Sequence, residues 1–424
     1  MTRDWEIIAG LRVGMIRFLR PGACIRLACV HGRGNRPVDS HFLPRPLSGL
    51  CTRNDRSRLI VDLAMPEDDP EIRRLLRDNP MDGAIRVSLE REPNAFLAAA
   101  VEGEPHATVV ARDPATGRVL GMGTRAVWNA FVNGEPCRLG YLSQLRVDRA
   151  ARGRRRLLAA GYAALRDLRS PDELPFDITS VIADNETARR LLSGGIPGLP
   201  TYRELSGFVT LVLPAVRPSR KRAAVSAVLI EPGLPGQMAE VADCLARNRR
   251  RYQAAPFFTA EDLLSPERSR GLAPHDFRLA VSGGRVVGCL ALWDQSGFKQ
   301  VVVRGYAPRL ARWRPWINRL PLSLGIPRLP DSGEALPHAT ISHVAVDEDD
   351  PEVFQALVES AHAEACARRY AYAVIGFAAG HPWLPWLERR FRPRRYESVL
   401  YTVHWGGEAV ALDGRRPHVE AALL

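Results

Sequence analysis

The sequence predicts an α/β protein made of two tandem copies of one domain. Three observations predict it. Leu142 to Leu168 reads as a short apolar strand, a turn around Arg152-Gly153-Arg154, and a long amphipathic helix. Gly117-Arg118-Val119-Leu120-Gly121 is echoed by Gly284-Arg285-Val286-Val287-Gly288. Leu142-Ser143-Gln144-Leu145-Arg146-Val147-Asp148 is echoed by Ile341-Ser342-His343-Val344-Ala345-Val346-Asp347. The offset between copies is domain-sized, far longer than a solenoid repeat. A chain of 424 residues has room for two or three domains with real cores.

The elements follow in order. Residues 1–57 are rich in Arg, Gly and Pro with little periodicity, and are expected to be a loosely ordered arm. The first domain spans 58–214. It opens with a strand at Arg58 to Ala64, followed by a capped helix over Glu67 to Arg77. Strands at Ala107 to Arg112 and Arg118 to Trp128 form a hairpin around Pro114 to Gly117. The strand–turn–helix of Leu142 to Leu168 comes next. Ile178 to Ile182 is a strand, and Asp184-Asn185 starts a helix. Gly207 to Leu213 is the strand expected to close the domain. Residues 215–223 are a polar, Pro-containing linker. The second domain spans 224–406, beginning with a strand at Ala227 to Glu231. Its insert, Tyr306 to Pro330, carries Trp313, Trp316 and several arginines. The insert is expected to pack on its own domain; a lid over a cleft, or a helix on a membrane surface, are the other readings. Residues 407–424 are expected to be a frayed tail.

The turn after Val147 has the layout of a pyrophosphate cradle: amides at a helix N-terminus beside cationic side chains. Val147-x5-Gly153, with Arg152 before the glycine, resembles the coenzyme-A loop of the GNAT superfamily of N-acyltransferases. That loop usually reads Gln/Arg-x-x-Gly-x-Gly/Ala; here Arg155 and Leu157 stand where small residues are expected. Asn185-x-x-Ala188-x-x-Leu191 after a strand resembles the family's second motif, whose helix lies along the pantetheine arm. The resemblance implies an α+β fold: two tandem domains, each a mixed, mostly antiparallel sheet flanked by helices. It implies acetyl-CoA or another acyl-CoA as cosubstrate. The implied contacts are Leu145, Arg146 and Val147 on the splayed strand, Arg152, Gly153, Arg154 and Arg155 on pyrophosphate, and Asn185 and Ala188 beside pantetheine. Asn185 is equally suited to capping its helix. The family's usual acid, a tyrosine seven residues after the asparagine, is replaced by Leu192, and Tyr202 is the nearest phenol. The usual glutamate base is replaced by Ser143 and Gln144; Glu135, Asp148 and Asp184 are the nearby acids. His343, at the equivalent place in the second copy, has a suitable intrinsic pKa and could act only if the two clefts face each other. In the second copy Asp347 to Asp350 replaces the cradle. An acidic turn repels a pyrophosphate, yet it caps a helix from Pro351 to Arg369 well.

Composition narrows the function. A net charge of +12 invites a nucleic-acid reading, but the arginines are scattered among acids and no nucleic-acid module is present. Seven cysteines, none closely paired, point to reduced thiols in a cytoplasm and to no metal site. No apolar run reaches the length of a membrane span. The expected activity is N-acyl transfer from acyl-CoA to the primary amine of a small molecule or peptide. The alternative is a non-catalytic member that binds acyl-CoA or a protein partner.

Overall fold

A computed structural model describes residues 59–153, 155–216, 228–320, 326–406 and 410–424. The expected arm at 1–57, Arg154 and most of the linker lie outside these residues. The first repeat runs β1 (Ile60–Leu63), α1 (Asp69–Arg77), β2 (Ile85–Glu90), α2 (Ala99–Glu102), β3 (His106–Arg112), β4 (Val119–Val132), β5 (Glu135–Val147), α3 (Arg155–Asp167), β6 (Glu173–Ile182), α4 (Glu186–Ser193) and β7 (Thr201–Pro214). The second runs β8 (Leu229–Pro232), α5 (Met238–Arg249), β9 (Ala255–Pro256), α6 (Ala260–Leu264), β10 (Phe277–Ser282), β11 (Arg285–Trp293), β12 (Gln300–Tyr306), α7 (Pro308–Ile317), β13 (His338–Val346), α8 (Pro351–Ala367), β14 (Tyr372–Ala378), α9 (Leu384–Phe391) and β15 (Arg394–His404).

The strands build one mostly antiparallel sheet in the order β1-β3-β4-β5-β6-β15-β7-β14-β13-β11-β10-β8. The order is a palindrome about the β15/β7 pair, and the two repeats have exchanged their last strands. β15 completes the first repeat's sheet beside β6, from Ser398↔Ile182 to His404↔Phe176. β7 completes the second beside β14, from Tyr372↔Pro214 to Ala378↔Phe208. The strand expected to close the first domain therefore closes the other one. Phe208, Val209, Leu211 and Leu213 are buried, as a central strand requires. A separate ribbon pairs β2 with β12, tying the repeats together a second time.

The sequence echoes have a packing cause. A Cβ on Gly121 of β4 would meet Leu157 Cδ2 of α3 at 2.9 Å. A Cβ on Gly288 of β11 would meet Val353 Cγ1 of α8 at 2.9 Å. In each repeat a glycine lets a helix sit directly on the strand. The repeated Gly-Arg pairs and terminal aspartates form matching clamps. Arg74 Nη2 donates to the Val119 carbonyl at 2.9 Å, and both Arg74 and Arg118 bond Asp148. Arg247 Nη2 donates to the Val286 carbonyl at 2.6 Å, while Arg247 bonds Asp347 and Arg285 pairs with it at 3.7 Å.

The tail is not frayed. His418, Val419, Glu420 and Ala422 to Leu424 are buried. They join a core shared by both repeats, which includes Trp128, Tyr141 and Phe176 from one and Leu245, Phe277 and Trp293 from the other. The Glu420 carboxylate accepts from Arg249 and from the His343 amide. This segment lacks periodicity because its burial is imposed by tertiary contacts, not by an amphipathic element.

Candidate acyl-coenzyme A site

β5 and β6 pair in parallel as far as Tyr141↔Ile178. Thr179 Oγ1 then donates to the Leu142 carbonyl at 2.7 Å, and the strands part. The divergence begins at a bulge. Between Thr124↔Ser143 and Met122↔Arg146 the β4–β5 register slips, and Gln144 takes φ 51°. A bulge bends its strand and frees it from the ladder. β13 repeats the geometry: its register with β11 slips at the same place, and His343 takes φ 53°.

Past the bulge, β5 ends at Val147, and the next residue, Asp148, caps the turn that leads to α3: its Oδ1 accepts from the Ala150 amide at 2.9 Å. Partial burial opposes the charge on Asp148, but the Ala150 amide, Arg118 and Arg74 together hold its pKa below the ordinary value. Arg152, Gly153 and Arg155 are exposed at the entry to α3. Gly153 has φ 85°, and a Cβ there would meet nothing within 4 Å, so the turn faces open space. Arg154 is outside the described residues. Beside the turn lies a cavity of about 480 Å³ lined by Arg77, Arg86, Arg118, Arg149 and Arg304, with Asp78 and Asp148 among its walls. Arg152 Nη2 reaches Asn79 Oδ1, in the same wall, at 3.5 Å. The second repeat supplies Arg304, which β12 holds against Glu90 and Ser88. Guanidinium groups and open helix-end amides form an environment suited to phosphate.

The bulge has polar neighbours that the sequence did not single out. Gln144 Nε2 donates to Glu102 Oε2 at 3.1 Å, and His106 Nε2 lies 3.3 Å from the same oxygen. Arg91 pairs with the other carboxylate oxygen. Burial works against ionisation of Glu102, yet Arg91, His106 and Lys299 outweigh it and bring its pKa down to about 2. Lys299 also donates to the Ala422 and Leu424 carbonyl oxygens at 3.1 and 2.8 Å, so the tail comes close to this site. The acids expected from the sequence are placed elsewhere. Glu135 starts β5 at its opposite end, Asp184 is exposed, and Asp148 is committed to the turn. Glu102-x3-His106 carries no familiar motif; its only signal was the spacing of an acid and an imidazole four residues apart.

Along the other arm of the splay, Asn185 caps α4: its Oδ1 accepts from the Ala188 amide at 3.0 Å. Its Nδ2 is buried with no hydrogen-bond partner among the described residues, and so is Ser143 Oγ. Buried donors are rarely left unpaired, and these two flank the splay. Ala188 and Leu192 are buried. Leu145 and Val147 are half-buried and Arg146 is buried, its Nη1 donating to the Leu145 carbonyl at 3.0 Å. The Tyr202 and Tyr162 hydroxyls bond each other at 2.7 Å. His343 is placed differently. Its ring is fully buried against Phe258, Phe277 and Trp293, with Ser342 Oγ 2.9 Å from Nδ1. Burial, then the charge of Arg249, pushes its pKa well below the usual imidazole value. The acidic turn of the second repeat is also occupied. Asp347 and Asp349 bind Arg247 and Arg251, and Asp350 caps α8.

No protein-family model matches the sequence, and no curated protein does. Solved structures do. The chain is similar to a GCN5-related N-acetyltransferase from Sphaerobacter thermophilus, at 15% identity and a TM-score of 0.51, over 83% of this chain and 96% of that one. It is similar to Saccharomyces cerevisiae N-myristoyltransferase with bound myristoyl-CoA, at 11% identity and a TM-score of 0.54, over 89% and 90% of the two chains. The parallel splay, the bulge at its root and the strand–turn–helix that follows occur twice here, within a mixed α/β architecture that these neighbours share. The chain therefore has the fold of these acyltransferase structures, built from two repeats.

Proposed function

We propose that the protein is an N-acyltransferase that moves an acyl group from acyl-CoA to a primary amine, using the first repeat. One observation carries the reading: the bulge at Gln144 stands where β5 and β6 part, with Glu102 and His106 against it and the open Gly153 turn beyond. The pyrophosphate would lie on Arg152, Gly153 and Arg155, with Arg154 and the arginine-lined cavity beside them. The pantetheine would run along Leu145, Arg146 and Val147, and its amides would meet the unpartnered Asn185 Nδ2 next to Ala188. A backbone N–H near Leu145 would polarise the thioester carbonyl.

Glu102 keeps its charge at neutral pH, so it does not act as the base. It orients Gln144 and His106. If Nε2–H of His106 points at Glu102, Nδ1 keeps a lone pair and can take the ammonium proton of the attacking amine. The neutral amine then attacks: the C–N bond forms, the C–S bond breaks as the sulfur takes a proton from Tyr202 or water, and the second nitrogen proton passes to the tyrosinate or hydroxide so formed, leaving an amide and a free thiol. His343, enclosed by aromatic rings, has a structural role. Measured thiol release with a panel of amines tests the proposal, alongside thermal shift with acetyl-CoA and longer acyl-CoAs. Release that depends on His106 supports it. Binding without release for any amine would favour the non-catalytic reading, which the unpartnered donors of the splay also fit.

A further inference from the structure

Helix α7 presents a face that no other described element covers. Its inner side is anchored by residues at helical spacing. Leu310 is buried, Arg314 Nε donates to the Leu329 carbonyl at 3.0 Å and pairs with Asp331 at 2.6 Å, and Asn318 exchanges bonds with Leu329 at 2.8 and 2.9 Å. Residues three and four apart share a face, so the opposite side carries Arg309, Arg312, Trp313 and Trp316. Trp313 is 46% exposed and Trp316 is 61% exposed. Exposed tryptophans one turn apart are a costly arrangement for a surface that meets only water. Arg309 and Arg312 have no ion pair or hydrogen bond among the described residues, and the Arg319 guanidinium lies 5.0 Å from the Trp316 ring. From Tyr306 to Pro330 the sequence contains five arginines and no Asp or Glu. The sequence favours packing of this insert on its own domain; only its inner side does so.

We propose that this face docks on an anionic membrane surface, with Trp313 and Trp316 seated among the headgroups and the arginines on lipid phosphates. Tryptophan favours the bilayer interface because one part of the ring is apolar and its N–H is polar. Arginine beside it supplies attraction to anionic lipid and a long apolar stem. Charge selects the occupant: an all-basic aromatic face fits a phosphate-rich plane better than a second copy of this +12 chain. No described helix is long and apolar enough to cross a membrane, so the contact is peripheral.

Vesicle co-sedimentation of the full chain tests this. The protein should pellet with vesicles of equimolar phosphatidylcholine and phosphatidylglycerol, not with phosphatidylcholine alone, and added salt should release it. Arg309→Glu with Arg312→Glu should lower partitioning by at least about twenty-five-fold, at about five-fold per arginine. Trp313→Ser with Trp316→Ser should lower it at least ten-fold by removing the interfacial anchors. Both variants change exposed side chains, so the melting temperature should hold, and each pair checks the other. Failure of the wild type to pellet, or equal pelleting of both variants, would overturn the proposal. So would a wild-type dimer in solution that the tryptophan pair converts to monomer, since a second copy would then cover this face.

Discussion

Gln144 and His343 occupy the same bulge in two copies of one strand, and the chain treats them in opposite ways. At Gln144 the surroundings are a charged Glu102, a half-buried His106, and the neighbouring Ser143 hydroxyl, which has no partner among the described residues. At His343 the amide is taken by Glu420, the ring is sealed by aromatics, and the following turn is bound to arginines. The scaffolds agree closely: each has its positive-φ bulge, its glycine under a helix, and its Arg–Asp–Arg clamp. The difference teaches that the backbone device is general. What the chain sets against the bulge differs: at His343 it is its own carboxylate, and at Gln144 the proposed function leaves that place to a ligand.

The largest effect should come at the first repeat's turn. Gly153→Asp places a carboxylate and a β-carbon on a φ 85° residue where phosphate would approach. Acyl-CoA binding should be lost in calorimetry while the fold persists, since a Cβ there meets no neighbour. The wild type should bind one acyl-CoA per chain. Two would mean that Glu420 and the acidic turn do not close the second repeat.

Glu420→Ala should next destabilise the protein by about 3–5 kcal/mol, because it strands the buried Arg249 guanidinium. Chemical denaturation reads it. A loss well under 1 kcal/mol would show that the second bulge does not depend on its internal carboxylate. Glu102→Gln should lower kcat by about a hundred-fold through misorientation of His106. It should also change acid stability. Glu102 titrates near 4.5 when unfolded and near 2 when folded, so its contribution is present above about pH 4.5 and lost as pH falls toward 2. The variant should lack that part of the acid-induced loss. An unchanged pH profile of stability would argue against the buried carboxylate described at the first bulge.

The smallest of these effects belongs to Tyr202→Phe. It keeps the ring packing against Tyr162 and Tyr401 but removes the hydroxyl. Turnover should fall about ten-fold to a hundred-fold with acyl-CoA affinity unchanged, because a coenzyme thiolate is a fair leaving group. Unaltered turnover would assign the proton to water.

The sequence made much of this local architecture legible. The hairpin appears as β3 and β4, the expected strand and helix of Leu142 to Leu168 as β5 and α3, and the Asp350 cap starts α8 where the acidic run suggested. These features rest on period, caps and turns. What it concealed is non-local. The exchange of β7 and β15 leaves both strands equally apolar, and no short window can say which neighbour each one takes. Glu102 meets Gln144, and holds His106 beside it, only because the fold brings α2 and the start of β3 to the bulge. Glu420 lies in a stretch without periodicity, and its carboxylate finds Arg249 across most of a repeat.

The exchanged strands bear on how the gene could be divided. A cut between Arg222 and Ala223 would separate the two repeats in sequence but not in the sheet, for each fragment would carry the other's missing ribbon. Either fragment expressed alone would leave both the inner strand of its own sheet and its exported strand without their partners, and should aggregate. Co-expressed, the pair should reassemble into one particle, with association driven by backbone hydrogen bonding along β6, β15, β7 and β14. A fusion that began as duplication would, by trading these strands, have become obligate: neither half can drift away from the other without losing its own last strand.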